Sequence, residues 1–522
     1  MIQRENNNGL IRFFFIPEEF SPERLGDALS QKYELSYEDT NEDYVILQDS
    51  FDWRLWKEGK ILLKKTNEFH LLNAYNGIPE IELETDKVTG CNFWWNFPAS
   101  PLQEFMKEIL DIRALFDRLA FTLQTNSYKL LNEDQKTVLL FHQHKAIIDI
   151  PENQETPLHF FEFEALHGYE NEMKQVEQIL LPLSSKGRNH WDFYLKLFIR
   201  LGLAPGDYSS KQQYSFTADY TTRQASREIL QDLTGILLDN ELGIIRDIDT
   251  EFLHDFRVAV RRMRTLLNEC KNALDRDRIQ KYRKTFSDIQ TRTGTLRDMD
   301  VYLMEKNSIA GKLPANLQEH LQPFFEYLQE KRYKEWKKFV TYLKGKTYLN
   351  FITSWRSFLE EELAVIPPSS ASEEHVKRFA NRHIRKRYKN IRTWGLEIKK
   401  DSLDEKYHAL RKECKKLRYL LEFFRHLYPE KKISQYIKSL KKFQDKLGLF
   451  NDRSVQQSYL KEYLHLEDAR ESRSPVTYSA IGALMEALYI EQQEVKNNFH
   501  KSFTTFIKPR KEELFHKLFY SE

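Results

Sequence analysis

HDFRVAVRRMR, residues 254–264, returns as HALRKECKKLR at 408–418, an offset of 154 residues, and both stretches obey the pattern His-x-x-Arg-x-x-x-basic-basic-x-Arg. A second pair keeps the same offset. GTLRDMDV (294–301) falls on GLFNDRSV (448–455), matching Gly294 with Gly448, Asp298 with Asp452 and Val301 with Val455. Two motifs sharing one offset identify a duplicated unit of roughly 150 residues, the length of a small helical bundle.

At about 100° per residue, His254, Arg257, Arg261 and Arg264 fall within a quarter of a helix circumference, while Phe256, Val260, Met263 and Leu267 fall on another face. His408, Arg411, Lys415 and Arg418 repeat the stripe beside Leu410, Cys414, Leu417 and Leu421, and Arg262 and Lys416 complete the two basic pairs. Neither stripe contains a carboxylate. Surface helices ordinarily mix signs, because like charges four apart repel by a few tenths of a kcal/mol. A single-sign ridge in both copies therefore predicts an anion site. Arg suits it, since a guanidinium can give one phosphate two parallel hydrogen bonds, and a ridge repeating at every helical turn suits a linear polymer of phosphates.

His254 and His408 stand near each helix start, where structural and ligand roles are both open; contact with phosphate would make binding strengthen as pH falls through the imidazole range. A further stripe in HVKRFANRHIRKRYKNIRTW (375–394) places Arg378, Arg382, Arg385, Lys389 and Arg392 on one face. Its first-copy counterpart, TRQASREILQDLTGIL (222–237), has few cations, so the track is expected to be richer on the second-repeat side. Gly294 and Gly448 read as helix breaks and Asp298 and Asp452 as N-caps of the helices after them. Arg297 is counted with the anion track, although its counterpart is Asn451.

The rest of the chain bounds this reading. Residues 1–210 hold 21 Lys and Arg against 34 Asp and Glu, and the remainder 59 against 44, so a formal charge of +2 conceals balances of −13 and +15. Only the C-terminal part is expected to face a polyanion. Before residue 203, alternating runs such as DYVILQDSF (43–51), KILLKK (60–65), HLLNAY (70–75), TVLLFHQHKAII (137–148) and HFFEFEAL (159–166) predict antiparallel strands, with LIRFFFIP (10–17) before them. Helical periodicity at 100–112 and 170–183 makes this an α+β domain. LGLAPGDYSSK (201–211) collects Gly, Pro and Ser at the change of charge, and beyond it strand signals vanish. Helix breaks are expected near 247–250, 273–277, 307–316, 366–372, 400–403, 428–432, 447–452 and 468–475.

Cys91, Cys270 and Cys414 are too scattered for a disulfide framework or a zinc knuckle. Neither a signal peptide nor a membrane-spanning run is expected, and a reducing, cytoplasmic setting fits.

The duplicated helices, each followed after 40 residues by a Gly turn and an Asp, resemble the CHAD domain, the conserved histidine α-helical domain, over about residues 212–510. The resemblance implies two four-helix bundles related by a pseudo-twofold axis, with basic helices binding inorganic polyphosphate. It also implies a binding module, without catalytic residues, metal or cofactor, at polyphosphate granules. The expected division is 1–203, a linker at 204–211, a first bundle at 212–365 and a second at 366–522. Residues 1–203 resemble a degenerate CYTH domain, a triphosphate tunnel metalloenzyme fold, through DSFDWRLWKEGKILLKK (49–65) and the Glu-x-Glu of HFFEFEALHG (159–168). The family's first-strand Glu-x-Glu-x-Lys is absent, since LIRFFFIP offers Arg12 and no carboxylate. Glu162 and Glu164 read as solvent-facing strand residues, and an inactive scaffold or partner-binding domain is expected. The alternatives are a metal-dependent triphosphatase in the N-terminal domain and sequence-independent nucleic-acid binding by the helices. Aromatics for base stacking are not interleaved with the ridges.

Overall fold

Alternation of apolar and polar residues builds the first half of the chain as strands, and 3.6-residue periodicity builds the second as helices. The computed structural model describes residues 4–6, 9–15, 22–75, 77, 79–85, 90, 92–148, 157–182, 190–211, 213–217, 219–362, 369–466 and 474–520. Cys91, residues 366–368 of the expected break at 366–372 and residues 468–473 of the expected break at 468–475 lie outside the described residues. The chain divides into two units, Met1–Ser209 and Ser210–Glu522.

In the first unit the strands are β1 (Arg4–Asn6), β2 (Gly9–Phe15), β3 (Glu34–Ser50), β4 (Lys60–Lys64), β5 (Glu68–Asn73), β6 (Pro79–Glu84), β7 (Leu115–Leu131), β8 (Thr137–Ile148) and β9 (Leu158–Ala165). They form one nine-stranded antiparallel sheet in the order β1-β2-β9-β8-β7-β3-β4-β5-β6. Helices α1 (Pro22–Ser30), α2 (Arg54–Lys57), α3 (Pro101–Leu110), α4 (Glu170–Leu180) and α5 (His190–Arg200) accompany it. The two-residue period of β9 sorts its side chains between two cores. Phe160 joins Phe193, Leu197 and Phe198 of α5, whereas Phe161 and Phe163 join Met173, Val176 and Leu180 of α4. β3 runs nine residues earlier than the expected strand start at 43, and β7 was not foreseen. Their ladder pairs Asn41 with Thr125 and Thr40 with Asn126, a polar stretch that ladder hydrogen bonds carry without an apolar pattern.

The second unit is helical throughout: α6 (Thr222–Ile245), α7 (Thr250–Glu269), α8 (Arg276–Arg292), α9 (Gly294–Met304), α10 (Lys306–Ala310), α11 (Ala315–Gln318), α12 (Gln322–Leu343), α13 (Lys346–Ser357), α14 (Val376–Glu397), α15 (Asp404–Phe423), α16 (Glu430–Leu464), α17 (Pro475–Asn497), α18 (Phe499–Phe506) and α19 (Pro509–Phe519). The first residues of α6, α7 and α8 recur 154 positions later as those of α14, α15 and α16. Asp249 caps α7 by accepting the N–H groups of Glu251 and Phe252. The chain segments entering α6 and α14 pair across a local twofold: Thr222 N–H donates to Glu374 O at 2.8 Å and Val376 N–H to Tyr220 O at 3.0 Å, with Thr221 opposite His375. One core crosses between the repeats, packing Tyr302, Phe324, Phe325 and Leu328 against Leu460, Ile481, Leu484 and Leu488. No helix among the described residues is long and apolar enough to cross a membrane.

The expected break at 447–452 is absent. α16 runs unbroken for 35 residues, and a Cβ at Gly448 would meet nothing within 4 Å, so the glycine costs about 1 kcal/mol of propensity without ending the helix. In the first copy the interruption is the single residue Thr293 between α8 and α9. Asp298 and Asp452 are consequently helix-interior residues and not N-caps.

Candidate anion-binding site

The two basic helices lie side by side. Arg261 Nε of α7 donates to the Tyr419 hydroxyl of α15 at 3.4 Å, and Arg261 and Arg411 both depress the ammonium of Lys415. Two pairs of positions equivalent under the repeat thus lie near one another: Arg261 and Lys415, and Asp298 and Asp452.

Two groups of cations separate here. Arg257, Arg261, Arg264 and Lys415 make no ion pair within 4 Å among the described residues. Arg257, 9% exposed, donates to Gln290 O at 3.0 Å and to the Thr293 hydroxyl, and Arg264 donates to Gln290 Oε1. Burial, reinforced by Arg261, brings the Arg257 guanidinium down to about 10. Burial followed by Arg411, Arg261 and Arg418 pushes Lys415 down to about 6. The others meet carboxylates, some on their own helix and some on a neighbouring one. Arg262 and Arg418 share Glu422 at 2.6 and 3.5 Å, Lys416 reaches Glu413 at 3.1 Å, and Arg411 lies 3.9 Å from Asp452. The ridges free of carboxylate in sequence are partly neutralised in space, chiefly on the second copy.

The unpaired side opens into a cavity of about 880 Å³ between α7, α8 and α15. Arg261, Arg264, Lys412, Lys415 and Lys416 line it together with Lys271, Arg276, Arg283 and Lys284, and Glu269 is the one carboxylate in its wall. That carboxylate is already held. His383 and Arg387 of α14 bond to it, and Arg387 also donates to Glu413 at 2.6 Å. Burial alone would raise Glu269, but these bonds hold it at about 2. Confining nine basic side chains, of which only Lys416 has a carboxylate partner among the described residues, around one spoken-for carboxylate is unfavourable for the empty protein and favourable once an anion replaces their lost solvation. Arg276, Arg283 and Lys284 were missed by sequence reading because packing of α8 on α7, and not spacing along either motif, brings them in.

Arg297 is otherwise engaged, donating to Thr250 O and to His254 Nδ1, both at 3.0 Å, beside Glu251 at 3.5 Å. A guanidinium cannot accept, so His254 Nδ1 is the acceptor and carries no proton. His254 thereby fastens α9 to the start of α7 as a neutral ring. His408 has no such partner among the described residues and lies against Phe450, ring centroids 5.5 Å apart. The stripe on α14 is not brought to the cavity. Arg378, Arg382, Arg385 and Lys389 project about 180° around the helix from Arg387, which meets α7 and α15. Arg382 pairs with Glu374 at 2.5 Å, Arg385 lies 4.7 Å from the Tyr520 ring, and Arg378 and Lys389 are exposed. The expected enrichment on the second-repeat side is reversed at the cavity, where α8 of the first repeat supplies the third wall.

In the first unit, Glu162 is not solvent-facing. Its side chain is 18% exposed and 3.6 Å from His144, and it acts on His142, whose imidazole is held down by burial. The β2 residues in register with Glu164 and Glu162 are Ile11 and Phe13, which offer no ligand for a hard cation. Arg12 instead bonds Glu177 of α4 at 2.6 Å.

Residues 228–461 match the family model described as the CHAD domain. Two solved structures are similar: the CHAD domain from the plant Ricinus communis, with 22% identity and a TM-score of 0.48 over 56% of this chain and 95% of that one, and PptA from Streptomyces chartreusis, with 14% identity and a TM-score of 0.43 over 55% and 100%. No curated protein matches.

Proposed function

This chain carries a CHAD domain, and from that premise we propose that its helical unit binds inorganic polyphosphate as a non-catalytic module, at polyphosphate granules in the cytoplasm. The supporting observation is the cavity between α7, α8 and α15, walled by nine basic side chains and by one carboxylate, Glu269, that is already bonded. Its unpaired arginines suit phosphoryl oxygens, and the run of cations along two neighbouring helices suits a polymer. Tyr419 is the sole aromatic in the lining, which leaves no platform for successive bases and favours polyphosphate over nucleic acid. Titration of the full chain with polyphosphate across a salt series tests this reading. Tight binding that weakens steeply with salt and outcompetes RNA at equal phosphate is expected; equal displacement by RNA would return a general polyanion binder.

For the first unit we propose no catalysis. Two glutamates on β9 with apolar partners on β2 fall short of the several oxygen ligands a divalent metal needs. Metal-dependent phosphate release from tripolyphosphate, lost in Glu162→Gln/Glu164→Gln, would overturn that.

A further inference from the structure

We propose that α16, α18 and α19 form a second anion site, separate from the ridges, that takes a compact oligophosphate of pyrophosphate or tripolyphosphate size. A cavity of about 290 Å³ lies between these helices. Lys442 and Lys446, one turn apart on α16, converge there with Lys501 of α18 and Lys511 of α19, and no lining residue is acidic. Neither Lys442 nor Lys501 is ion-paired among the described residues.

The remaining lining is equipped for oxyanions. Ser439 places a buried hydroxyl oxygen without a hydrogen-bond partner at the site. Lys446 reaches the Ser502 hydroxyl at 3.0 Å and Lys511 the Thr505 carbonyl at 2.8 Å, so both ammonium groups are held in place by neutral oxygens that cancel no charge. Burial, then Lys508 and Lys442, lowers the Lys511 ammonium, as crowding without a counterion does. Phe443 and Phe506, stacked at 5.2 Å, give a rigid floor.

The repeat supplies a control for a purely architectural role. Under the 154-residue offset Lys442 and Lys446 correspond to Asp288 and Arg292, which pair with each other at 2.7 Å, and Lys501 and Lys511 correspond to Thr347 and Ser357. The fold is made in the first copy without a lysine cluster. Moreover α18 and α19 follow residue 461, where the family match ends, and no lining residue is shared with the ridge cavity.

Calorimetric titration of the full chain with tripolyphosphate tests the assignment in four proteins: wild type, Lys442→Gln/Lys501→Gln, Arg261→Ala/Arg264→Ala and the combination of both pairs. The arginine variant should retain a binding event that weakens about tenfold or more when the lysine pair is also changed. Because this readout is taken with the ridge disabled, it stands whether or not the ridge binds polymer. Lys446→Gln/Lys501→Gln serves as a second pair, and an unchanged Tm confirms folding. Identical titrations with and without the lysine changes would overturn the site. Competition in the arginine variant by long polyphosphate with free ends, but not with blocked ends, assigns the site to chain termini; failure of both to compete assigns it to free oligophosphate.

Discussion

Under the repeat offset the first copy has buried Ile229, Leu233 and Ala259 on α6 and α7, whereas the second has His383, Arg387 and Glu413, of which Arg387 and Glu413 join α14 to α15 and His383 joins α14 to α7. The first interface is apolar. The second is ionic, and it borrows Glu269 from α7 of the other copy. Duplication gave two like interfaces, and divergence made one of them the clasp between repeats. The carboxylates recruited to that side also neutralise its ridge, with Glu413 on Lys416 and Glu422 on Arg418, while the first-copy ridge keeps Arg257, Arg261 and Arg264 unpaired. One copy holds and the other presents charge.

The sharpest way to break this contrast is Arg387→Met, which removes the one guanidinium shared by the buried Glu269 and Glu413 and should cost about 3 kcal/mol by denaturant unfolding. The same bonds predict that stability contributed by Glu269, present above the unfolded pKa of a glutamate, persists until pH falls through about 2. Next in size, Arg261→Ala/Arg264→Ala/Arg283→Ala on the first-copy side should lower polyphosphate affinity by about 100-fold and flatten the slope of log K against log salt by about 2.

Lys415 sharpens the comparison through pH. Its free-state pKa of about 6 means that a bound phosphate draws in a proton at neutral pH, so affinity should climb as pH falls from 8 towards 6, by up to about tenfold per unit, and level off below. Lys415→Met should abolish that slope. In the folded protein alone the depressed ammonium makes stability rise as pH increases from about 6 towards its unfolded value, so Lys415→Met should raise Tm below that window. Arg418→Ala/Lys416→Ala, on the neutralised side, should cost less than about tenfold in affinity. Smallest of all, Arg378→Ala/Lys389→Ala on the outer face of α14 should change affinity less than about twofold; a larger loss would extend the track onto that face.

The repeat made most of the helical unit legible, because the one offset carries both the charged stripe and the apolar stripe that packs it. His254 to Arg264 and His408 to Arg418 read as equivalent basic helices from their spacing alone. What spacing could not supply was partnership between helices. Glu422 of α15 pairs with Arg262 of α7, and Asp452 reaches Arg411 from another helix. Arg283 enters the cavity because α8 folds back on α7. The reading of Gly448 as a break failed because glycine ends a helix only where neighbours do not hold it. β7 escaped notice because its central residues, Gln124 to Ser127, pair with the polar Asp39 to Glu42 of β3 and carry no apolar alternation.

The core shared by Phe324, Phe325 and Leu328 with Leu460, Leu484 and Leu488 has a consequence for biogenesis. As the chain leaves the ribosome, the first repeat is complete long before its covering partners have been synthesised. Its aromatic face must wait for α17, so this unit matures late and as a whole, and the interval is its window for aggregation or chaperone capture.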